Sequence, residues 1–195
     1  MRTFVLATGN AHKAEEMRRI LAPYDVELLP RPSDVPDVDE TEETLEGNAL
    51  LKARALTNAT GHAAIADDTG LFVDALDGRP GVYSARYAGE RATYDDNVRK
   101  ALHELNDVDD AHRGARFRSV IAVTFPDGDS WWEEGVLEGT MLRAPQGDGG
   151  FGYDPIFAPL TLDGTSLAEL TPDEKSAISH RGRALRAFAK RLSTS

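Results

Sequence analysis

Gly149-Gly150-Phe151-Gly152-Tyr153-Asp154-Pro155 brings unencumbered backbone, two aromatic rings and a carboxylate into one short run. Further on, Lys175-Ser176-Ala177-Ile178-Ser179-His180-Arg181 sets three potential cations and two hydroxyls beside a predicted helix boundary. Together these could grip a planar, polar-edged ring that carries negative charge, which describes a nucleotide. A third segment, Ala66-Asp67-Asp68-Thr69-Gly70-Leu71, supplies the paired carboxylates that phosphate chemistry with a divalent metal needs.

Each segment has a plainer reading beside the chemical one. Thr8-Gly9-Asn10-Ala11-His12-Lys13 is a strand running through a glycine turn into a helix, which would aim backbone N–H groups and the positive helix end at an anion. It lacks the second glycine and the Gly-Lys-Ser/Thr ending of a Walker A loop, and an ordinary strand–helix turn reads the same way. Asp67 and Asp68, adjacent on a strand, project to opposite sides, so one of them faces a given cleft. That one could hold Mg²⁺ or orient and deprotonate a water; the alternative is a turn or helix-capping aspartate. Glu40, Glu42, Glu43 and Glu46 cluster at a helix start, where acids complement the dipole and one could also ligate metal. Asn48 and Lys52 lie one turn apart on that helix and could reach the same cleft or stand in solvent. Phe151 and Tyr153 flank Gly152, so a ring could stack on a base or simply anchor a loop. Donors such as His180 and Arg181 would reward a purine with a 6-carbonyl and leave adenine mismatched, at ~1–3 kcal/mol per buried group. Both could equally serve packing or a surface ion pair.

Bulk properties bound these readings. The chain has 195 residues, enough for one domain with two lobes. With 41% hydrophobic and 28% charged residues it reads as a soluble cytoplasmic protein, with no apolar run long enough for a membrane helix. The absence of cysteine excludes disulfides, thiolate catalysis and Cys-type zinc. A net charge of −11 argues against binding a nucleic-acid polymer, and a polyanionic small ligand would need cations gathered at one place. No Gly-x-Ser-x-Gly elbow or His-Glu-x-x-His spacing occurs.

The elements that must position these residues follow from periodicity and punctuation. Thr3–Ala7 is a predicted buried strand, Lys13–Leu21 a helix ended by Pro23, and Val26–Leu29 a second strand. An exposed loop with three prolines covers 30–39. A long helix is predicted from about Thr41 to Ala59, closed near Gly61. Ala63–Ala66 is a short strand expected to stop at Asp67-Asp68, with extended structure resuming at Leu71–Val73. Thr93 with Asp96 opens a helix to about Leu105. Arg116–Phe125 and Trp131–Leu137 form a hairpin around Pro126-Asp127-Gly128-Asp129. Thr171-Pro172-Asp173-Glu174 is a capping box, and a last helix over about 182–192 buries Leu185, Phe188 and Leu192. The mixture predicts α/β structure with a mixed sheet.

Taken in order, Thr8-Gly9-Asn10 with Lys13, Asn48-Ala49 with Lys52-Ala53, Asp67 to Leu71, Pro80 to Tyr87, Gly150 to Phe157 and Glu174 to Arg181 resemble the inosine/xanthosine triphosphate pyrophosphatase family, the Ham1/RdgB-like nucleoside-triphosphate diphosphatases. The resemblance spans nearly the whole chain. It implies a single domain over 1–195 with an elongated mixed β-sheet and flanking helices, two lobes around a central cleft, usually as a homodimer. It implies Mg²⁺-dependent hydrolysis of deaminated purine triphosphates (ITP, dITP, XTP, dXTP) to monophosphate and pyrophosphate. By it Asp68 is the catalytic base and a metal ligand, with Glu40 the second ligand. Thr8, Gly9, Asn10, Ala11, His12, Lys13 and Thr69 would hold phosphates. Phe151, Gly152, Tyr153, Asp154, Lys175, His180 and Arg181 would hold the nucleotide and its base. Gly47 stands where the family often has glutamate, with Glu46 one position earlier, and Thr69 replaces the commoner serine. Two alternatives stand beside this: a purine-nucleotide sensor without turnover, and a pyrophosphatase for modified pyrimidine triphosphates.

Overall fold

A computed structural model describes residues 2–194. Its strands are β1 (Arg2–Leu6), β2 (Val26–Leu29), β3 (Ala64–Val73), β4 (Pro80–Gly81), β5 (Gly114–Thr124), β6 (Ser130–Met141) and β7 (Phe157–Pro159). The helices are α1 (Ala11–Leu21), α2 (Leu45–Thr60), α3 (Tyr94–Glu104), α4 (Pro172–Ile178) and α5 (His180–Thr194), with short 3₁₀ turns such as Ser84–Arg86. The strands form one sheet in the order β2-β1-β3-β5-β6-β7, with β4 paired to β3. β1 runs parallel to β2 and β3, whereas β3/β4 and β6/β7 are antiparallel. The chain is thus α/β with a mixed sheet.

It divides into two compact units. The first comprises Met1–Asp68, Ser119–Gly135 and His180–Ser195, the second Thr69–Arg118 and Val136–Ser179. In the first unit Phe4, Leu6, Met17, Ile65, Ile121, Leu185 and Phe188 form a common core, with the Phe4 and Phe188 rings edge-on at 5.7 Å. Gly135 on β6 is required here: a Cβ would lie 2.1 Å from the His180 carbonyl oxygen and 2.5 Å from the Ala184 nitrogen, so only glycine lets the first turn of α5 lie against the strand. In the second unit Leu71, Val73, Leu105, Phe117, Leu137, Ile156 and Phe157 form the core. Buried Arg113 adds charge-assisted bonds there, donating to the carbonyls of Leu105, Met141 and Leu142 at 2.7–2.8 Å.

Several boundaries differ from expectation for identifiable reasons. α2 starts at Leu45, not near Thr41, because Thr44 takes the capping role, its Oγ1 accepting from the Gly47 N–H at 3.0 Å. Gly61 closes the helix in the left-handed conformation (φ 69°), as the sequence suggested. β3 does not stop at Asp67-Asp68 but runs unbroken to Val73. The aspartates can remain in a buried strand because each meets cations on its own face. β7 is a strand too short to leave a periodic signal.

Candidate active site

The first unit gathers a network of charges around β3. Asp67 and Asp68 are both buried, and the two-residue pleat sends them different ways. Asp67 meets the Lys13 ammonium at 3.1 Å and accepts from Arg181 Nε at 3.2 Å. Asp68 Oδ1 accepts from Lys52 Nζ at 2.7 Å, and the same ammonium donates to Glu40 Oε1 at 2.7 Å. Lys52 reaches this position from α2. One turn earlier on that helix Asn48, open in the sequence between the cleft and solvent, is instead buried and straps the incoming chain. Its Oδ1 accepts from Glu42 N–H at 3.0 Å and its Nδ2 donates to the Glu42 carbonyl at 3.2 Å. That strap brings the segment carrying Glu40 alongside α2.

These neighbours separate the two aspartates electrostatically. Burial alone would raise both. At Asp67 it is outweighed by Lys13, Arg181 and Lys52, which hold the carboxyl well below the usual range. At Asp68 burial prevails over Lys52, with Glu40 adding repulsion, and the carboxyl is pushed up to about 6. Glu40 is drawn down: burial opposes, but Lys52 and Lys13 win. Lys52 is raised for the reciprocal reason, with Asp68 and Glu40 overcoming its desolvation.

Arg181 lies deep in the same network. Its guanidinium is 1% exposed and donates to Glu16 Oε2 at 2.5 Å as well as to Asp67. The sequence suggested a donor at a purine rim; the structure gives Arg181 two buried carboxylates. His180, the first residue of α5, is also buried. Glu16 escaped sequence reading, although a signal was present: it falls among Met17 and Ile20 on the buried side of α1, where an acid needs a reason.

The turn into α1 is organised by its own side chains. Asn10 caps the helix, Oδ1 accepting from His12 N–H at 3.0 Å and Lys13 N–H at 3.3 Å, while Thr8 Oγ1 accepts from Asn10 N–H at 3.2 Å. Three of the backbone donors expected to face an anion, those of Asn10, His12 and Lys13, are thus held by the turn's own side chains. Lys13 and the positive end of α1 remain as the turn's attraction for phosphate. Gly9, Ala11 and His12 are exposed. Thr8 and Gly9 also line an open cavity of ≈ 510 Å³ with Arg18, Arg31 and Asp37.

The second unit holds a separate cluster. Asp154 Oδ2 accepts from Phe151 N–H at 2.7 Å and from Lys175 Nζ at 2.7 Å, and that ammonium lies 4.4 Å from the Phe151 ring centroid. Gly150 makes the turn possible: its φ is +69°, and a Cβ would come within 2.3 Å of Asp154 Oδ2. Phe151 and Gly152 are half-buried. Tyr153 is a core anchor, its ring buried and its hydroxyl donating to the Ser84 carbonyl at 2.9 Å. Tyr94, at the first position of α3 and unremarked in the sequence, contributes a ring 6.1 Å from Phe151. Thr69, the next residue on β3 after Asp68, is half-buried.

Among the described residues no three His, Asp or Glu side chains converge as a metal cage. The Glu40–Asp68 pair nevertheless suits a hard cation held jointly with a ligand. Asp68 Oδ2 is buried without a hydrogen-bond partner among the described residues, and Mg²⁺ commonly takes one or two carboxylates plus phosphate oxygens and water.

Fold and site define an α/β protein with a mixed seven-stranded sheet and a carboxylate–ammonium centre on its third strand. Residues 4–191 match the model of the Ham1 family. The chain is 49% identical over 192 residues to the dITP/XTP pyrophosphatase of Streptomyces coelicolor, covering 96% of each, and 45% identical over 194 residues to that of Bacillus subtilis, covering 98% of each. A HAM1 protein structure from Coxiella burnetii superimposes with a TM-score of 0.90 at 41% identity, covering 100% of both chains. The chain belongs to the Ham1 family.

Proposed function

We propose that this protein is a nucleoside-triphosphate diphosphatase that removes deaminated purine nucleotides, ITP, dITP, XTP and dXTP, from the nucleotide pool. The observation that carries the reading is the Asp68–Lys52–Glu40 cluster at 2.7 Å contacts, beside an Asp67 that separately holds Lys13. The Streptomyces and Bacillus relatives, dITP/XTP pyrophosphatases by name, support the substrate class.

In this reading Asp68 orients a water and takes its proton, a role suited by a carboxyl that titrates near neutrality. The water oxygen bonds to the α-phosphorus, the bond to the α,β-bridging oxygen breaks, and pyrophosphate departs with that electron pair. Lys13 and Lys52 offset charge on the phosphate oxygens. Glu40 and Asp68 would hold Mg²⁺, which when bound supplies further charge neutralisation and polarises the phosphate. Phe151 offers a stacking face, and Lys175, fixed by Asp154, a donor beside it. Thr8 to Lys13 and Thr69 complete the phosphate contacts, with His180 and Arg181 adjoining. We extend the proposal to a cytoplasmic homodimer.

Pyrophosphate release from ITP, dITP, XTP, GTP, ATP and dTTP, with and without Mg²⁺, tests the reading. Preference for the 6-oxo, non-guanine substrates with Mg²⁺ is expected. No release from any triphosphate would leave a sensor, and preference for dTTP would point to a pyrimidine enzyme.

A further inference from the structure

We infer that Lys52 is a resident counter-cation of the Glu40–Asp68 pair, and that a divalent ion must displace it to bind. The inference rests on the reading that this pair holds the metal. A single ammonium donates at 2.7 Å to one oxygen of each acid, so the position equidistant from Glu40 Oε1 and Asp68 Oδ1 is already filled by positive charge. The three side chains are 13%, 22% and 6% exposed, so water screens them weakly. Two carboxylates this close would repel each other in such surroundings, and Lys52 keeps them together when no ion is present.

The same geometry makes the ammonium a competitor. A divalent ion bonded to both oxygens at about 2.1 Å would stand where Nζ stands. Asp68 Oδ2 is buried and has no hydrogen-bond partner among the described residues, so a contact from a cation would satisfy it. Glu40 Oε1 and Asp68 Oδ1 become available only as Lys52 withdraws. Its flexible four-carbon stem permits that movement, whereas α2, closed by Gly61 at one end and capped by Thr44 at the other, stays in place. The expelled ammonium keeps its charge and is then free to meet an anion arriving with the metal. Metal entry and the presentation of Lys52 to phosphate are therefore one event.

The test uses the full-length, metal-free protein without nucleotide. Mg²⁺ is titrated into ¹⁵N-lysine-labelled protein while the Lys52 ammonium resonance, assigned by its loss in Lys52→Arg, is followed. A large shift and faster proton exchange at saturation are expected. In parallel, Mn²⁺ affinity is measured by electron paramagnetic resonance for wild type and Lys52→Met. The variant should bind at least about tenfold more tightly, because the unit charge that competes for the two acids has been removed. A Lys52 resonance unmoved while metal binds, or Mn²⁺ affinity in Lys52→Met no tighter than wild type, overturns the displacement and leaves the metal site intact. Absence of Mn²⁺ binding by both proteins overturns the metal reading itself. Should Lys52→Met fail to fold, the wild-type titration decides alone.

Discussion

Replacing Arg181 by methionine removes the one guanidinium shared by two buried acids. Its side chain and those of Glu16 and Asp67 are 1%, 7% and 0% exposed, so the loss is that of a buried ion pair, ~3–5 kcal/mol. The two acids do not suffer equally. Asp67 keeps Lys13 at 3.1 Å, whereas Glu16 Oε1 already lacks a hydrogen-bond partner among the described residues and Oε2 would lose Arg181. Most of the cost therefore falls on Glu16, left buried with no cation beside it. Removing that acid as well takes away the group that suffers, so Arg181→Met combined with Glu16→Leu should recover a substantial part of the loss, about 1–3 kcal/mol. Urea unfolding of metal-free protein, followed by the fluorescence of Trp131 where it packs on Phe188, measures this. An Arg181→Met penalty below ~1 kcal/mol, or a double variant no more stable than Arg181→Met alone, would refute the argument.

Asp68→Asn should abolish pyrophosphate release while nucleotide affinity stays within about tenfold, checked by calorimetry; retained turnover would mean the base lies elsewhere. In metal-free protein the Asp68 carboxyl should titrate in carbon-13 NMR with a midpoint near 6, protonated below and ionised above, while Asp67 stays ionised throughout. Gly150→Ala, which forces a Cβ against Asp154 at a left-handed backbone position, should raise KM for ITP well before it lowers kcat, because it disturbs the hold on Lys175 and Phe151 and leaves the Asp68 centre untouched.

What was legible in the sequence was local. The capping boxes at Thr93 and Thr171 and the tight turn at 126–129 are decided by neighbours within a few residues, and they stand in the structure. The alternation of Asp67 and Asp68 was also readable, because strand geometry fixes it. What was not readable depended on partners far along the chain. β3 continues through two aspartates only because α1, α2 and α5 bring Lys13, Lys52 and Arg181 to it. Nothing near Arg181 in sequence distinguishes a guanidinium at a purine rim from one buried on Glu16. Tyr153 was open between base and core for the same reason, and the carbonyl of Ser84 decides how its hydroxyl is used.

The scarcity of lysine gains meaning from where the lysines are. The chain has Lys13, Lys52, Lys100, Lys175 and Lys190 and a net charge of −11, an unpromising field for a polyanion. Three of the five stand in the two clusters, and each is bound to an aspartate: Lys13 to Asp67, Lys52 to Asp68 and Lys175 to Asp154. In the first unit Lys13, Lys52 and Arg181 face Glu16, Glu40, Asp67 and Asp68, so the network carries one negative charge more than positive. Such pairing holds flexible ammonium groups in place, and it also cancels their pull on a distant phosphate. On the proposed function, the attraction for a triphosphate then cannot come from the protein alone. It has to arrive with a divalent cation, which turns the network from net negative to net positive and sets Lys52 free of its acids at the moment a phosphate needs it.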